Sequence, residues 1–453
     1  MALSQGGPRS RFSREWHHGS SAQFLLPRLG DPEQKILKRV ISVCCRRPSR
    51  WLKPKWHVII MFMDGDPHDL ERSLDSLWQC LSQGRRPLGV LLGAGCPVSV
   101  RVESEHGLSE PLIPDVAGLT QKVKEAIVGT PFEGDHDALI SGLEEDLGRP
   151  PNIEDMLSRL RTLEAIAFDH SVRDLTLESI QGLERCMTET ISDQVSVDLP
   201  TDATPYDALA VWASTMSRSS SVSVFTTNYD LLIESAFERN DVPFFDGFVG
   251  VNEPFLDTEA IELDDLPVRW ARVWKLHGSR NWTLLPTGKV VRRTPRSEEE
   301  RSLIHPSHLK YDESRRMPYV VMQDQLREFL RRPSATMVVL GYSFGDDHVN
   351  EMLLQGMRSN PGAMTFALQF ASLDECKSAC SLASTYPNLV VIARDGGVIA
   401  GRQALWRTAP ESPPTICGLG DFLHFGDYLR QLTGRSVAPT ADTALKGTET
   451  VDG

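Results

Sequence analysis

The sequence predicts an α/β fold, a mainly parallel sheet with a large helical insertion. Two observations lead there. Short apolar runs alternate with amphipathic helical stretches, the pattern of strand–helix crossover units. Four of those runs also stop at a glycine-bearing or polar cluster: GAG at 93–95, TTNYD at 226–230, KLHGS at 275–279 and GYSFGDDH at 341–348. In parallel sheets ligands bind beyond the carboxyl ends of the strands. The four clusters are therefore expected to face a ligand.

In chain order, PHDLERSLDSLWQCLSQG (67–84) reads as a helix, with Leu70, Leu74, Leu77 and Leu81 at helical spacing. Pro67 suits its first turn and Gly84 its stop. PLGVLLGAGCP is a buried strand running into a glycine turn, and a second helix is expected from about Thr120. Residues 120–220 read as mostly helical. NIEDMLSRLRTLEAIAF, with Asn152 as a cap, LESIQGLERCMTETI and PYDALAVWASTM all repeat apolar residues at helical intervals. VSVFTTNYD is the next strand, and IESAF opens the helix after it. A loop-rich stretch follows, then VRWARVWKLHG, where Val268, Trp270, Val273 and Leu276 suggest a strand ending at His277-Gly278. ATMVVLGYSFGDDHVNEMLLQGM is a third strand–turn–helix, and MTFALQF and NLVVIAR are two more strands. DFLHFGDYLRQL reads as a short helix in a C-terminal segment (401–453), and the polar tail from Val437 is expected to be disordered. The central domain is placed at 63–400.

Composition narrows the function classes. Of 453 residues, 40% are hydrophobic and 24% charged, ordinary for a globular protein. No wholly apolar run is longer than VIIMFM at 58–63, far short of the roughly 20 residues of a membrane span. The N-terminus lacks the basic–apolar–small order of a signal peptide. A cytoplasmic protein with no membrane partner is expected. Eight cysteines without a CxxC pair read as free thiols in a reducing compartment. Residues 1–60 hold 12 Lys plus Arg against 3 Asp plus Glu, whereas the remainder holds 36 against 58. The acidic body argues against direct nucleic-acid binding by the main domain. The basic segment 1–62 is open to two readings: a nucleic-acid arm, or a stretch ahead of a true start near Met63.

Each cluster has a chemical and a structural reading. The glycines of LLGAGCP let backbone N–H groups approach a phosphate, or simply make a tight turn. It is not the full GxGxxG fingerprint, which weighs against an ordinary dehydrogenase. In TTNYD the amide suits a water or a ribose hydroxyl and the carboxylate a carboxamide N–H; the alternative is an Asx turn or helix cap. His277, placed before Gly278-Ser279 in an exposed turn, is a candidate general base. In GYSFGDDH, Gly341 and Ser343 suit a ribose or phosphate. Asp346, Asp347 and His348 suggest a metal only weakly, and capping is the favoured role for at least one Asp.

In this order, LLGAG with the later IPD, then TTNYD, KLHGS and LGYSF, resemble the sirtuin-like family of NAD-consuming proteins, over roughly residues 85–360. The variants TTNYD and GYSFxDxH resemble most the divergent microbial branch found in anti-phage defence. The resemblance implies a Rossmann-like sheet with NAD as substrate. It places Gly93, Ala94 and Gly95 at the pyrophosphate and Asp115 beneath the nicotinamide ribose. Asn228 and Asp230 would hold the ribose, the nicotinamide amide or the attacking water. His277 would be the catalytic base, and Gly341 and Ser343 would lie on the adenosine side. The chain departs from typical sirtuin deacylases in two respects. It lacks their two CxxC pairs, so no structural zinc is expected, and about 15 residues separate Cys96-Pro97 from Ile113-Pro114-Asp115. Both departures weigh against peptide deacylation. The function expected is an NAD glycohydrolase acting as a defence effector by depleting NAD. As a homo-oligomer it would have residues 120–220 either as a candidate assembly surface or as a plain layer covering the core, and a helicase-like ATPase would be a partner. The alternatives are a non-hydrolysing NAD or ADP-ribose sensor, and a deacylase or ADP-ribosyltransferase.

Overall fold

A computed structural model of the chain describes residues 66–434, apart from 104–106, 168–170, 174, 216–217, 295, 297–300 and 305–317. The basic segment 1–62 and the tail from Val437 lie outside the described residues. The first helix, α1 (Leu70–Ser82), begins later than Pro67 suggests. Asp69 is its cap, accepting from Arg72 N at 3.1 Å, so Pro67 stands outside the first turn.

Strand β1 (Leu88–Leu92) is buried throughout and leads into the four-residue helix α2 (Gly95–Val98). A small hairpin follows, β2 (Arg101–Glu103) with β3 (Ser109–Pro111). Next comes the helical block: α3 (Val116–Ile127), α4 (Glu133–Leu147), α5 (Ile153–Glu164), α6 (Leu177–Val195) and α7 (Pro205–Thr215). Asn152 caps α5, and Asp155 returns a bond to the Asn152 N–H, so the reciprocal cap fixes where this helix starts. Helix α3 starts at Val116 rather than near Thr120, because Asp115 caps it.

The chain re-enters the sheet at β4 (Ser223–Thr226), followed by α8 (Leu232–Arg239). The stretch read as loop-rich contains β5 (Phe244–Phe245), β6 (Phe248–Val249), β7 (Phe255–Leu256) and α9 (Thr258–Leu263). Strand β8 (Ala271–Lys275) starts after Val268 and Trp270, which lie in a turn closed by Trp270 N on Pro267 O at 2.9 Å. Then come β9 (Gly278–Leu284), β10 (Val290–Arg292), β11 (Arg301–Ile304), α10 (Tyr319–Arg331), β12 (Thr336–Leu340), α11 (Asp347–Ser359) and β13 (Met364–Leu368). The last elements are α12 (Lys377–Thr385), β14 (Leu389–Ile392), the hairpin β15 (Gly396–Ile399) and β16 (Arg402–Leu405), and α13 (Phe422–Thr433).

Among the described residues the main sheet runs β16-β15-β14-β13-β12-β1-β4-β8-β5. Strands β14 through β5 in that order are mutually parallel, and β15 and β16 add an antiparallel edge. A second, antiparallel sheet runs β11-β9-β10-β7-β6. Alternate residues of β1 feed opposite cores, as period-2 strands require. Val90 and Leu92 join the helical block, α1 and α13, while Leu91 joins α10, α11 and the second sheet. Helix α13 packs into the first core through Phe422 on Tyr206 and Tyr428 on Trp78.

Register positions the site. Leu340, Leu92, Thr226 and Lys275 pair in one row across β12, β1, β4 and β8. The residues that follow them, Gly341, Gly93, Thr227 and Leu276, therefore leave the sheet along one edge. Between β1 and β12 the strand order reverses, the point at which such sheets open a crevice.

Candidate active site at the carboxyl edge of the sheet

At the reversal point the loops after β1 and β12 touch backbone to backbone. Gly93 N donates to Leu340 O at 2.9 Å and Gly95 N to Gly341 O at 2.8 Å. A Cβ on Gly95 would stand 2.8 Å from Gly341 Cα, and one on Gly341 would stand 2.5 Å from Cys96 N. Gly341 also has φ 61°, in the left-handed region. The glycines expected at a pyrophosphate and at adenosine thus first serve to let these two loops meet. Gly93 is buried, Ala94 half-buried, and Gly95 and Ser343 exposed.

TTNYD turns inward beside them. Asn228 N donates to Thr226 Oγ1 at 3.0 Å, and Asn228 Nδ2 donates to Gly93 O at 3.1 Å. With Nδ2 held, Oδ1 is the carboxamide atom left to accept a hydrogen bond. Asp230 is 4% exposed, and its Oδ1 accepts from Leu232 N at 3.0 Å, the Asx turn that opens α8. Lys275, 2% exposed, donates to Asp230 O and, at 3.1 Å, to Glu234 Oε1. Burial pushes both carboxyls above their ordinary range, and the Lys275 ammonium partly offsets it. Asp230 is thus tied into an internal ion network beneath the site.

His277 leaves β8 next to this network, and its Nε2 lies 2.9 Å from Asp346 Oδ2. Asp346 is also the cap of α11, with Oδ1 accepting from His348 N at 2.9 Å and Val349 N at 3.3 Å. Its loop is clasped from behind. The Tyr342 hydroxyl shares its proton between Asp346 O and Asn350 Oδ1, both at 3.0 Å, and Asn350 Nδ2 donates to Phe344 O at 2.9 Å. Burial, then the Asp346 charge, drives the Tyr342 phenol far above its usual range, so it stays a donor. Burial, followed by the charge of Glu154, raises Tyr229 likewise, and Glu154 also acts on Tyr342. The first turn of α5 in the helical block therefore lies close to this site.

The structure joins most of the expected residues. Asn228 reaches Gly93, Gly95 reaches Gly341, and Tyr229 O accepts from Arg280 N at 3.0 Å, drawing the His277 turn to TTNYD. Asp115 stands apart: it is exposed and its carboxylate accepts from Gly118 N at 2.8 Å. The sequence reading missed the pairing of Asp346 with His277, although it gave a capping role to at least one Asp of that loop. It also missed Arg280, whose Nε is buried without a partner and whose charge lowers Asp230. Neither leaves a local sequence signal, because their partners are remote in the chain. Among the described residues no three His, Cys, Asp or Glu side chains group as a metal site.

Residues 222–386 match the family model of the SIR2-like domain. Over that span the chain is similar to a SIR2-like domain. Its matched span contains TTNYD, KLHGS and GYSFGDDH, and the glycine loop precedes it. Solved structures similar to the chain include one described as the structural basis for the mechanism and regulation of Sir2 enzymes, at 13% identity and TM-score 0.33, covering 66% of this chain and 86% of that one. Sir2Tm bound to a propionylated peptide matches at 15% identity and TM-score 0.33, covering 66% and 87%. A Sir2 homologue–NAD complex matches at 11% identity and TM-score 0.32, covering 80% and 95%. Likeness at that level carries no weight beside the family match and the sheet itself. No curated protein matches the chain. Among the described residues no helix is long and apolar enough to cross a membrane.

Proposed function

We propose that this SIR2-like protein is an NAD glycohydrolase. The observation that carries the reading is the convergence of Asn228 and the His277–Asp346 pair on one sheet edge, beside the strand-order reversal where ligands bind. A sensor needs a crevice but has no use for a base held by a carboxylate. The two departures from typical deacylases in the cysteine pattern and the first loop also favour water over an acyl-lysine peptide as acceptor.

The ADP-ribose half of NAD would lie along the loops after β1 and β12. Gly93, Ala94 and Gly95 would face the pyrophosphate, and Gly341 and Ser343 the adenosine side. The C1′–N bond breaks with its electron pair leaving on nicotinamide, through an oxocarbenium-like transition state. Grip on the diphosphate holds the ribose in a strained pose. Asn228 Oδ1 orients a water on the vacated face, and His277 takes the proton as that water attacks C1′. Nicotinamide and ADP-ribose are the products. Asp115 and Asp230 act less directly: Asp115 shapes the rim by capping α3, and Asp230 supports the floor through Lys275. In the cell such turnover would deplete NAD, a means of arresting an infected host. That role calls for silence until triggered, through a homo-oligomer or a helicase-like ATPase partner.

Product analysis tests the reading. Free nicotinamide and ADP-ribose from NAD, lost on His277→Ala and on Asn228→Ala with the fold intact, support it. Tight NAD binding without turnover would favour a sensor. Turnover only with an acylated protein would favour deacylation.

A further inference from the structure

Resting on the reading of His277 as the base, we infer that Asp346 is its positioning residue: it holds Nε2 protonated, so that Nδ1 is the atom that accepts the proton. Three features carry this. First, Asp346 cannot turn freely. Its Oδ1 is engaged by two backbone N–H groups of α11, and its own carbonyl accepts from Tyr342. Second, Oδ2 lies 2.9 Å from His277 Nε2, an ion-pair contact without the alignment of a hydrogen bond. A bare ring lone pair would be repelled by a carboxylate at that distance, so the contact favours Nε2 carrying the hydrogen and Nδ1 keeping the lone pair. Third, both side chains are mostly shielded, at 16% and 11% exposure, which strengthens their electrostatic attraction.

The cap is thus more than a helix start. It couples the end of β8 to α11 and sets the imidazole tautomer, 69 residues away in the chain. As Nδ1 takes a proton from water, the ring becomes an imidazolium whose charge lies against the Asp346 carboxylate. Among the described residues, titratable and charged groups beside Asp346 include Tyr229 from the loop after β4 and Tyr342 and Asp347 from its own loop, with Glu154 from α5 acting on both tyrosines.

The test is Asp346→Asn in the full chain. Asparagine caps helices as well as aspartate does, so the α11 start survives. The introduced carboxamide, with its oxygen on the cap, turns an N–H₂ toward Nε2 and forces the ring into the opposite tautomer. With ¹⁵N-labelled histidine, and His277→Ala to assign the signal, the neutral wild-type ring should show Nε2–H and the Asp346→Asn ring Nδ1–H. NAD turnover should fall in kcat by on the order of 10²–10⁴-fold, with KM little changed. A wild-type ring protonated on Nδ1, or an Asp346→Asn enzyme with wild-type kcat, overturns the inference. If the wild type consumes no NAD at all, the hydrolase reading falls, and the tautomer measurement still decides whether Asp346 sets the ring.

Discussion

Replacing Gly341 by alanine should destabilise the fold by about 2–5 kcal/mol. Two costs add. The position has φ 61°, where an L side chain costs roughly 1–2 kcal/mol. The new Cβ would stand 2.5 Å from Cys96 N and 2.9 Å from Cys96 Sγ and Gly95 C. These neighbours are mostly backbone of the opposing loop, which is anchored by Gly93 N and Gly95 N on β12 and its turn, so relief requires the loops to separate. Overpacking of this kind typically costs about 1–3 kcal/mol. Gly345 in the same loop is the control. It is exposed, has no positive φ, and its Cβ would meet only Ser343 Oγ at 3.3 Å. Gly345→Ala should stay within about 0.5 kcal/mol of wild type, as exposed substitutions do. Urea unfolding of the two variants beside wild type reads the gap directly. Equal midpoints for Gly341→Ala and Gly345→Ala would refute the claim that these glycines exist to let the loops meet.

Two further outcomes follow from groups beside the site. Lys275→Met leaves Asp230 and Glu234 buried without their ammonium and should cost about 3–5 kcal/mol at neutral pH. Burial already raises both carboxyls above their unfolded values. Their favourable contribution is therefore full below the unfolded pKa of roughly 4 and is lost as pH rises through the folded values. The Lys275→Met deficit should accordingly shrink as pH is lowered from 8 to 5, and a deficit constant across that range would count against the network. Arg280 is half-buried with Nε unpartnered and sits beside the His277 turn. Arg280→Ala should raise the KM for NAD about tenfold or more if the guanidinium meets the substrate, and an unchanged KM would give it a purely structural role.

The sheet was legible because its strands are fully buried and flanked by helices of clear period. VLL, SVFT, RVWK and TMVVL all emerged as strands, and their polar ends do share one edge. The helical block was legible for the same reason, with Asn152 capping where expected. What stayed hidden depends on distance in the chain. The antiparallel sheet of β6, β7, β9, β10 and β11 is built from strands of two to seven residues, too short to show a period. The edge hairpin β15–β16 was missed because it is glycine-rich and one of its strands is exposed. The site was half legible. Asn228, Asp230 and His277 announced themselves as polar residues ending apolar strands. That Asp346 serves His277, that Lys275 joins Asp230 to Glu234, and that the glycines first serve a loop contact are facts of register, visible only once strands pair.

The central claim is tested most directly by incubating the purified chain, from Met1 and from Met63, with NAD beside His277→Ala and separating the products. The account predicts nicotinamide and ADP-ribose from the wild type and neither from His277→Ala. NAD left intact by the wild type and showing no measurable binding, or consumed equally by His277→Ala, would contradict it.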